Sequence, residues 1–287
     1  MSHARTTVYV HGGVSGTPKP ELPSLAHALT EWVTGTTALD GVEEAVRRLE
    51  DDEELNAGWG SVLNRNGAIE LDAGIADGAT GRSAGVLGVT VRYPVSLARR
   101  VMESSPHVLM VGEGAMALGP DMEMLNGSTK RQLDRFKLAL ADGQMNSAGY
   151  GSDEHVDTVG AVALDSNRHL AAASSTGGVF GKLPGRVGDS PVFGAGTYAS
   201  QDTAVVGTGV GELFLETLAC ARAGRLIEEG THPQSACEQI VAYLGGRSTM
   251  SAGLLALNAT GEVGAAFRGG SWAVEGPNGA LRPIRLD

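Results

Sequence analysis

The chain has 287 residues, 42 of them glycine, and a formal net charge of −11. That length fits one domain, 1–287, with a sizeable core, and the acidic balance excludes the basic footprint of a nucleic-acid binder. The two cysteines show no pairing pattern and fit a reducing, cytoplasmic setting, Met1 to Thr7 holds no apolar run of signal-peptide length, and no stretch reaches the roughly 20 apolar residues of a membrane span.

Thr6 to Val10 is β-rich and runs into His11-Gly12-Gly13-Val14-Ser15-Gly16. Val42, Ala45, Val46 and Leu49 form a helical stripe between Gly41 and Asp51. Trp59 to Leu63 and Ile69 to Leu71 are predicted to pair as a hairpin around Asn66-Gly67. Val86 to Val91 reads as a strand, Pro94 opens a helix over Val95 to Met102, and Ser128 to Asp142 reads as a polar amphipathic helix. Gln144 to Val156 has little apolar periodicity and reads as a linker, about 144–157. After it, Thr158 to Leu164 and His169 to Ser174 read as strands joined by a polar turn, and Thr203 to Val206 as a short strand. Glu212 to Glu228 and Pro233 to Leu244 read as helices, and Gly253 to Leu257 with Val263 to Phe267 as a hairpin around Thr260-Gly261. Strands cluster at the start of each half with helices between or after them, which indicates an α+β fold.

The chemistry centres on Thr158. A threonine at a strand start is ordinarily there for its β-propensity. Here it follows the linker and precedes the small residues Gly160, Ala161 and Ala163, which let other backbone approach. Polar residues on glycine-rich turns come next: Ser175-Thr176-Gly177-Gly178, Gly185 to Pro191, and Gly207-Thr208-Gly209-Val210-Gly211-Glu212. A hydroxyl is a poor nucleophile without a base. A cut before Thr158 exposes its own α-amine, with an ordinary pKa near 8. One residue then supplies nucleophile and base.

Other patterns fail. Val205 to Gly211 has the strand–glycine turn–helix form of a dinucleotide site, but no acidic residue on a following strand completes it. Gly81-Arg82-Ser83-Ala84-Gly85 matches a serine-hydrolase elbow, yet a strand pattern follows where a helix is needed. Seven histidines without HxxxH spacing and two cysteines without CxxC give no catalytic metal set.

These residues, together with Leu55 to Asn64, Glu70-Leu71-Asp72-Ala73, Asp77-Gly78 and Pro106 to Gly114, resemble the plant-type asparaginase and isoaspartyl peptidase family, a branch of the N-terminal nucleophile hydrolases. The resemblance spans nearly the whole chain. It implies a four-layer αββα sandwich, made as a precursor and cleaved between Asp157 and Thr158 into an α piece (1–157) and a β piece (158–287). Such αβ pairs dimerise in the family. Thr158 matches the nucleophile, and Thr176 the second threonine that positions it. Thr208 and Gly209 match the oxyanion hole. Arg186 and Asp189 match the groups that hold the substrate's α-carboxylate and α-amine, Gly211 a substrate-binding backbone position, and Asn56 an orienting asparagine. Carbonyls near Leu55, Ala57 and Trp59 match a structural sodium loop; catalysis needs no cofactor. The implied activity is hydrolysis of the side-chain amide of L-asparagine and of β-aspartyl dipeptides. Asp157 stands where much of the asparaginase branch has Gly and the glycosylasparaginase branch has Asp. That keeps a glycosylasparaginase reading open; a separate alternative is an uncleaved, inactive homologue that only binds an amino acid through Arg186 and Asp189.

Overall fold

A computed structural model describes residues 6–15, 37–143 and 158–287. Two sheets carry the fold. The larger takes β1 (Thr7–Ser15), β2 (Leu71–Asp77), β3 (Arg82–Val89), β4 (Leu109–Val111), β5 (Val159–Leu164), β6 (Leu170–Thr176), β11 (Ser271–Gly276) and β12 (Gly279–Leu281), in the order β12-β11-β1-β5-β6-β2-β3-β4. The smaller takes β7 (Thr197–Ala199), β8 (Thr203–Gly209), β9 (Ala252–Asn258), β10 (Val263–Arg268) and β13 (Ile284–Arg285), in the order β13-β10-β9-β8-β7.

Side-chain alternation along β5 explains its unbroken apolar run. Ala161 and Ala163 point to a cluster shared with α1 (Ala38–Glu50) and α2 (Pro94–Ser104), to which α3 (Gly112–Met116) adds Ala115 and α4 (Lys130–Ala141) adds Phe136. Val162 and Leu164 point the other way, to a cluster with Val206, Leu255, Leu257 and Phe267 of the smaller sheet. A strand covered on both faces needs apolar residues at every position. On the far side of the smaller sheet, Val205, Leu254 and Ala266 pack against Ala223 and Ile227 of α6 (Ala219–Glu228) and Ala236, Ile240 and Val241 of α7 (Pro233–Gly245). Each large aliphatic side chain so buried contributes roughly 1.5–3 kcal/mol.

α1 starts where its sequence dictates. Thr37 accepts from the Asp40 N–H at 3.1 Å, and Asp40 accepts back from the Thr37 N–H at 3.3 Å, a reciprocal cap. The Asp165 carboxylate, from the β5–β6 turn, takes a third orphan donor, the Ala38 N–H, at 3.2 Å.

Three sequence expectations change. Trp59 to Leu63 does not pair with Ile69 to Leu71. Gly58–Gly60 is a 3₁₀ turn, and the Asn64 side chain closes the Asn66-Gly67 turn by accepting from the N–H groups of Asn66 and Ala68. A turn held by its own side chain needs no flanking strands. The run Glu212 to Glu228 is two helices, α5 (Gly211–Thr217) and α6, broken at Leu218, which adopts φ 51°. The strand expected at Val86 to Val91 begins earlier, at Arg82. The linker expected at 144–157 lies outside the described residues.

Strand directions gather the site. β5 runs antiparallel to both β1 and β6, and β6 antiparallel to β2. The start of β5, the end of β1, the end of β6 and the start of β2 therefore meet at one edge of the larger sheet. The end of β8 meets them, because the Val14 N–H at the end of β1 donates to Thr208 Oγ1 at 3.3 Å.

Candidate active site

Thr158 sits one residue before β5, and Val159 pairs with Ser175 across the ladder. That register puts Thr158 beside Thr176, and the Thr158 hydroxyl donates to Thr176 Oγ1 at 3.2 Å. Both side chains are buried. Thr176 Oγ1 also accepts from the Gly178 N–H at 2.9 Å. Asn56 splints this turn from three sides. Its amide donates to the Gly178 carbonyl at 2.7 Å, its carbonyl side-chain oxygen accepts from Val62 N–H at 3.0 Å, and its backbone carbonyl accepts from Gly177 N–H at 2.9 Å. Among the described residues Asn56 thus reaches Thr158 through the Gly177-Gly178 turn and Thr176. Asp157 lies outside the described residues.

Thr208 and Gly209 end β8. Gly209 has φ 144°, and a β-carbon there would lie 2.5 Å from the Ser251 carbonyl oxygen, so only glycine fits.

Arg186 and Asp189 face the start of α5. Arg186 is bound edge-on by Glu212, Nε to Oε1 at 2.9 Å and Nη2 to Oε2 at 2.7 Å. This bidentate geometry fixes the guanidinium plane. Burial works to raise the Glu212 pKa, but the hydrogen bonds and charge of Arg186 outweigh it and hold the carboxyl below its ordinary range. Asp189 is buried, and its Oδ2 has no hydrogen-bond partner among the described residues. Burial pushes its pKa up to about 7, against the pull of its own backbone N–H and of Arg186. Its two oxygens face different ways: Oδ2 would lie 2.8 Å from a β-carbon on Gly196, and Oδ1 faces Gly211. Gly211 lies between the two charges. A methyl group there would meet Arg186 Nη2 at 2.9 Å and Asp189 Oδ1 at 3.0 Å. The space beside Gly211 thus has a cation on one side and a carboxyl on the other.

Two residues given no role of their own in the sequence reading flank the threonines. His11 is fully buried against Trp272, ring centroids 5.6 Å apart. Burial pushes its pKa down to about 3, against the opposing effect of the Thr158 backbone. Its Nδ1 accepts from Gly13 N–H at 3.3 Å, so in the neutral ring Nε2 carries the proton and no lone pair is free to act as base. Glu50, also fully buried, accepts from Val95 N–H at 3.1 Å at the start of α2, and its carboxyl faces Ser175, the neighbour of Thr176. Burial pushes its pKa up to about 8 despite these hydrogen bonds. Neither residue looks functional in sequence, because burial alone makes them unusual.

Carbonyl oxygens crowd the loop after α1. A methyl group on Gly60 would lie 2.2 Å from the Leu55 oxygen, 2.6 Å from that of Asp52 and 2.7 Å from that of Glu53. The carbonyl of Ala57 accepts from Gly60 N–H at 3.2 Å. Converging main-chain carbonyls are the donor set a hard cation takes. Among the described residues no group of three or more His, Cys, Asp or Glu side chains is placed to hold a metal, and no helix is long and apolar enough to cross a membrane. A cleft of about 480 Å³ lined by Glu43, Arg47, Tyr93, Arg99 and Asp121 contains none of the site residues. Arg99 there is already paired with Asp40, Glu43 and Glu103.

Comparison with known proteins relates the chain to a family. A family model described as asparaginase matches residues 22–276. An isoaspartyl peptidase of Salmonella typhimurium is 42% identical over 92% of this chain and 92% of its own. An isoaspartyl peptidase/L-asparaginase of Mus musculus is 38% identical over 96% of this chain and 89% of its own. A plant-type L-asparaginase of Pyrococcus abyssi is 36% identical over 90% of this chain and 91% of its own. The chain belongs to the asparaginase family that these proteins share.

Proposed function

We propose that this protein is a self-cleaving amidohydrolase that acts on L-asparagine and β-aspartyl dipeptides through Thr158. The observation that carries the reading is the nearness of the Thr158–Thr176 hydroxyl pair to a paired cation and carboxyl: Gly178, whose N–H holds Thr176 Oγ1, lies against Arg186 Nη1, and Arg186 Nη2 and Asp189 Oδ1 both face Gly211. The names of the relatives, isoaspartyl peptidase and plant-type L-asparaginase, support the substrate class.

In the first step Thr158 Oγ attacks the Asp157 carbonyl carbon and the acyl group moves from nitrogen to oxygen. Water then hydrolyses the ester, leaving a carboxylate on Asp157 and a free α-amine on Thr158. That amine takes the hydroxyl proton in each later turnover, a role that neutral His11, with no free lone pair, leaves open. In the second stage Thr158 Oγ attacks the β-carbonyl of a substrate whose α-carboxylate lies on Arg186 and whose α-ammonium lies on Asp189. The Thr208 hydroxyl and Gly209 N–H donate to the oxyanion; losing one such donor costs about 3–4 kcal/mol elsewhere. Ammonia or an amino acid departs, and water releases aspartate from the ester.

The finer architecture belongs to the same proposal. The three clusters, one between the sheets and one beyond each, support a four-layer αββα sandwich. A structural sodium near Leu55, Ala57 and Trp59, in the loop that presents Asn56, is inferred from family resemblance. The buried free thiols of Cys220 and Cys237 support a reducing compartment. Assembly as a dimer of cleaved αβ pairs is inferred from family resemblance.

The test is denaturing electrophoresis with end sequencing, followed by rates on asparagine, a β-aspartyl dipeptide and a glycosylated asparagine. Two fragments, one beginning at Thr158, with turnover of the first two substrates, are expected. A single uncleaved chain that binds aspartate without turnover refutes the enzyme reading. Preference for the glycosylated substrate assigns the protein to the other branch.

A further inference from the structure

Arg186 lies in a stretch without helix or strand, 182–190. Glu212 fixes its guanidinium, but something else must fix its backbone. Two carboxylates at the start of β2 meet that need. The Gly185 N–H, one residue before Arg186, donates to both carboxylate oxygens of Glu70 at 3.1 and 3.2 Å. The Gly188 N–H, two residues after it, donates to Asp72 Oδ2 at 3.0 Å. Asp72 Oδ1 is held in turn by the Gly88 N–H at 3.0 Å, from β3. Lys182 closes the frame, its Nζ donating to the Glu70 carbonyl at 2.7 Å. Asp72 is fully buried and sits directly opposite Thr176 in the β2–β6 ladder. One strand start is thus shared by the arginine loop and the threonine pair.

We propose that Asp72, with Glu70 and Lys182, is a positioning device that sets where Arg186 presents its charge, and through it the affinity for substrates bearing an α-carboxylate. The Glu-x-Asp spacing suits the task. Glu70 stands one residue before β2 and Asp72 is its second residue, and both carboxylates accept from N–H groups of one loop. Hydrogen bonds from backbone N–H to a buried carboxylate are stronger than neutral ones and hold their geometry. Arg186 Nη1 and Asp72 Oδ2 lie on either side of Gly188, where a methyl group would be 3.2 and 3.8 Å from them. The carboxylate is therefore close enough to act on the guanidinium as well as on the chain.

This inference rests on the proposed role of Arg186, and its test keeps the two apart. Asp72→Asn turns one acceptor into a donor facing an N–H. Its KM for asparagine should rise about tenfold or more, with kcat within about twofold and self-cleavage complete. β-Alaninamide, which keeps the amine and the amide but lacks the carboxylate, should show no change. In an Arg186→Ala background the Asp72→Asn change should have no further effect on KM. Equal losses on both substrates, a fall in kcat at constant KM, or additivity with Arg186→Ala would overturn it. If Asp72→Asn does not fold, Glu70→Ala decides: KM up about threefold with unchanged kcat supports the idea, and no change in KM refutes it. If the unaltered protein hydrolyses no amide, the proposed function fails on its own. The positioning role is then read from L-aspartate binding by calorimetry, where the same variants must weaken binding and an unchanged Kd overturns the idea.

Discussion

The Asp189 carboxyl makes substrate recognition depend on pH in a way that can be separated from the nucleophile's own titration. Burial holds its pKa at about 7 in the free protein. It must be ionised to pair with an ammonium group. At about pH 6 some 10% of molecules carry the charge, and at about pH 8 some 90%, so binding through that pair should strengthen about tenfold across this interval, or ~1.4 kcal/mol. The α-amine of Thr158 titrates in the same range and would mask the effect in a single profile. Succinamate removes the difficulty, since it is asparagine without the α-amine. Both amides need the same nucleophile and base, so the ratio of their kcat/KM values cancels those terms. That ratio should rise about tenfold from about pH 6 to pH 8 and fall again above, where the substrate's own α-ammonium loses its proton. Asp189→Asn should flatten it. A ratio independent of pH in the unaltered protein would show that the Asp189 charge does not read the ammonium.

Other consequences follow from single contacts. Thr158→Ala should stay one chain and lose at least about 10³-fold in hydrolysis, checked by gel and by ammonia release. Gly211→Ala puts a methyl group against Arg186 Nη2 and Asp189 Oδ1; it should cleave normally yet raise KM about tenfold or more. Glu50 has a folded pKa of about 8 against an ordinary value of 4.5. The folded chain therefore keeps a proton that the unfolded chain releases, and stability falls as pH rises through that window, at up to about 1.4 kcal/mol per pH unit. Glu50→Gln, which preserves the acceptor for Val95 N–H, should remove that slope from denaturant unfolding measured across the range.

The residues given chemical roles are picked out by their match to the family's motifs in order, not by type alone. A threonine at a strand start is ordinarily there for β-propensity, and an Arg–Asp pair on a glycine turn more often belongs to a solvated surface. The partners that hold the matched residues are not so marked. Glu212, Glu70 and Asp72 look like ordinary acids in a chain of net charge −11, and only the fold shows which N–H or guanidinium each one meets. The same limit applies to β2. Its sequence, Leu71-Asp72-Ala73-Gly74-Ile75-Ala76-Asp77, carries aspartates and a glycine that disfavour a strand, yet it pairs on both sides. Tertiary pairing outweighs that propensity. Leu218 gave no warning of a helix break either, since leucine is a good helix former, yet it takes the left-handed conformation there.

The strand order of the larger sheet has a consequence for how such a protein can be made. Cut before Thr158, the order β12-β11-β1-β5-β6-β2-β3-β4 reads late, late, early, late, late, early, early, early along the chain. The first piece contributes a strand clasped on both sides by the second, so the two are woven together at three ladders rather than docked at one face. Neither piece holds the larger sheet complete; the second has only the smaller one whole. Genes for the halves, expressed apart and mixed afterwards, should yield little native enzyme, whereas a chain that folds first and is severed later keeps both halves without any covalent tie. Continuity of the chain is needed for assembly and is dispensable once assembly is done.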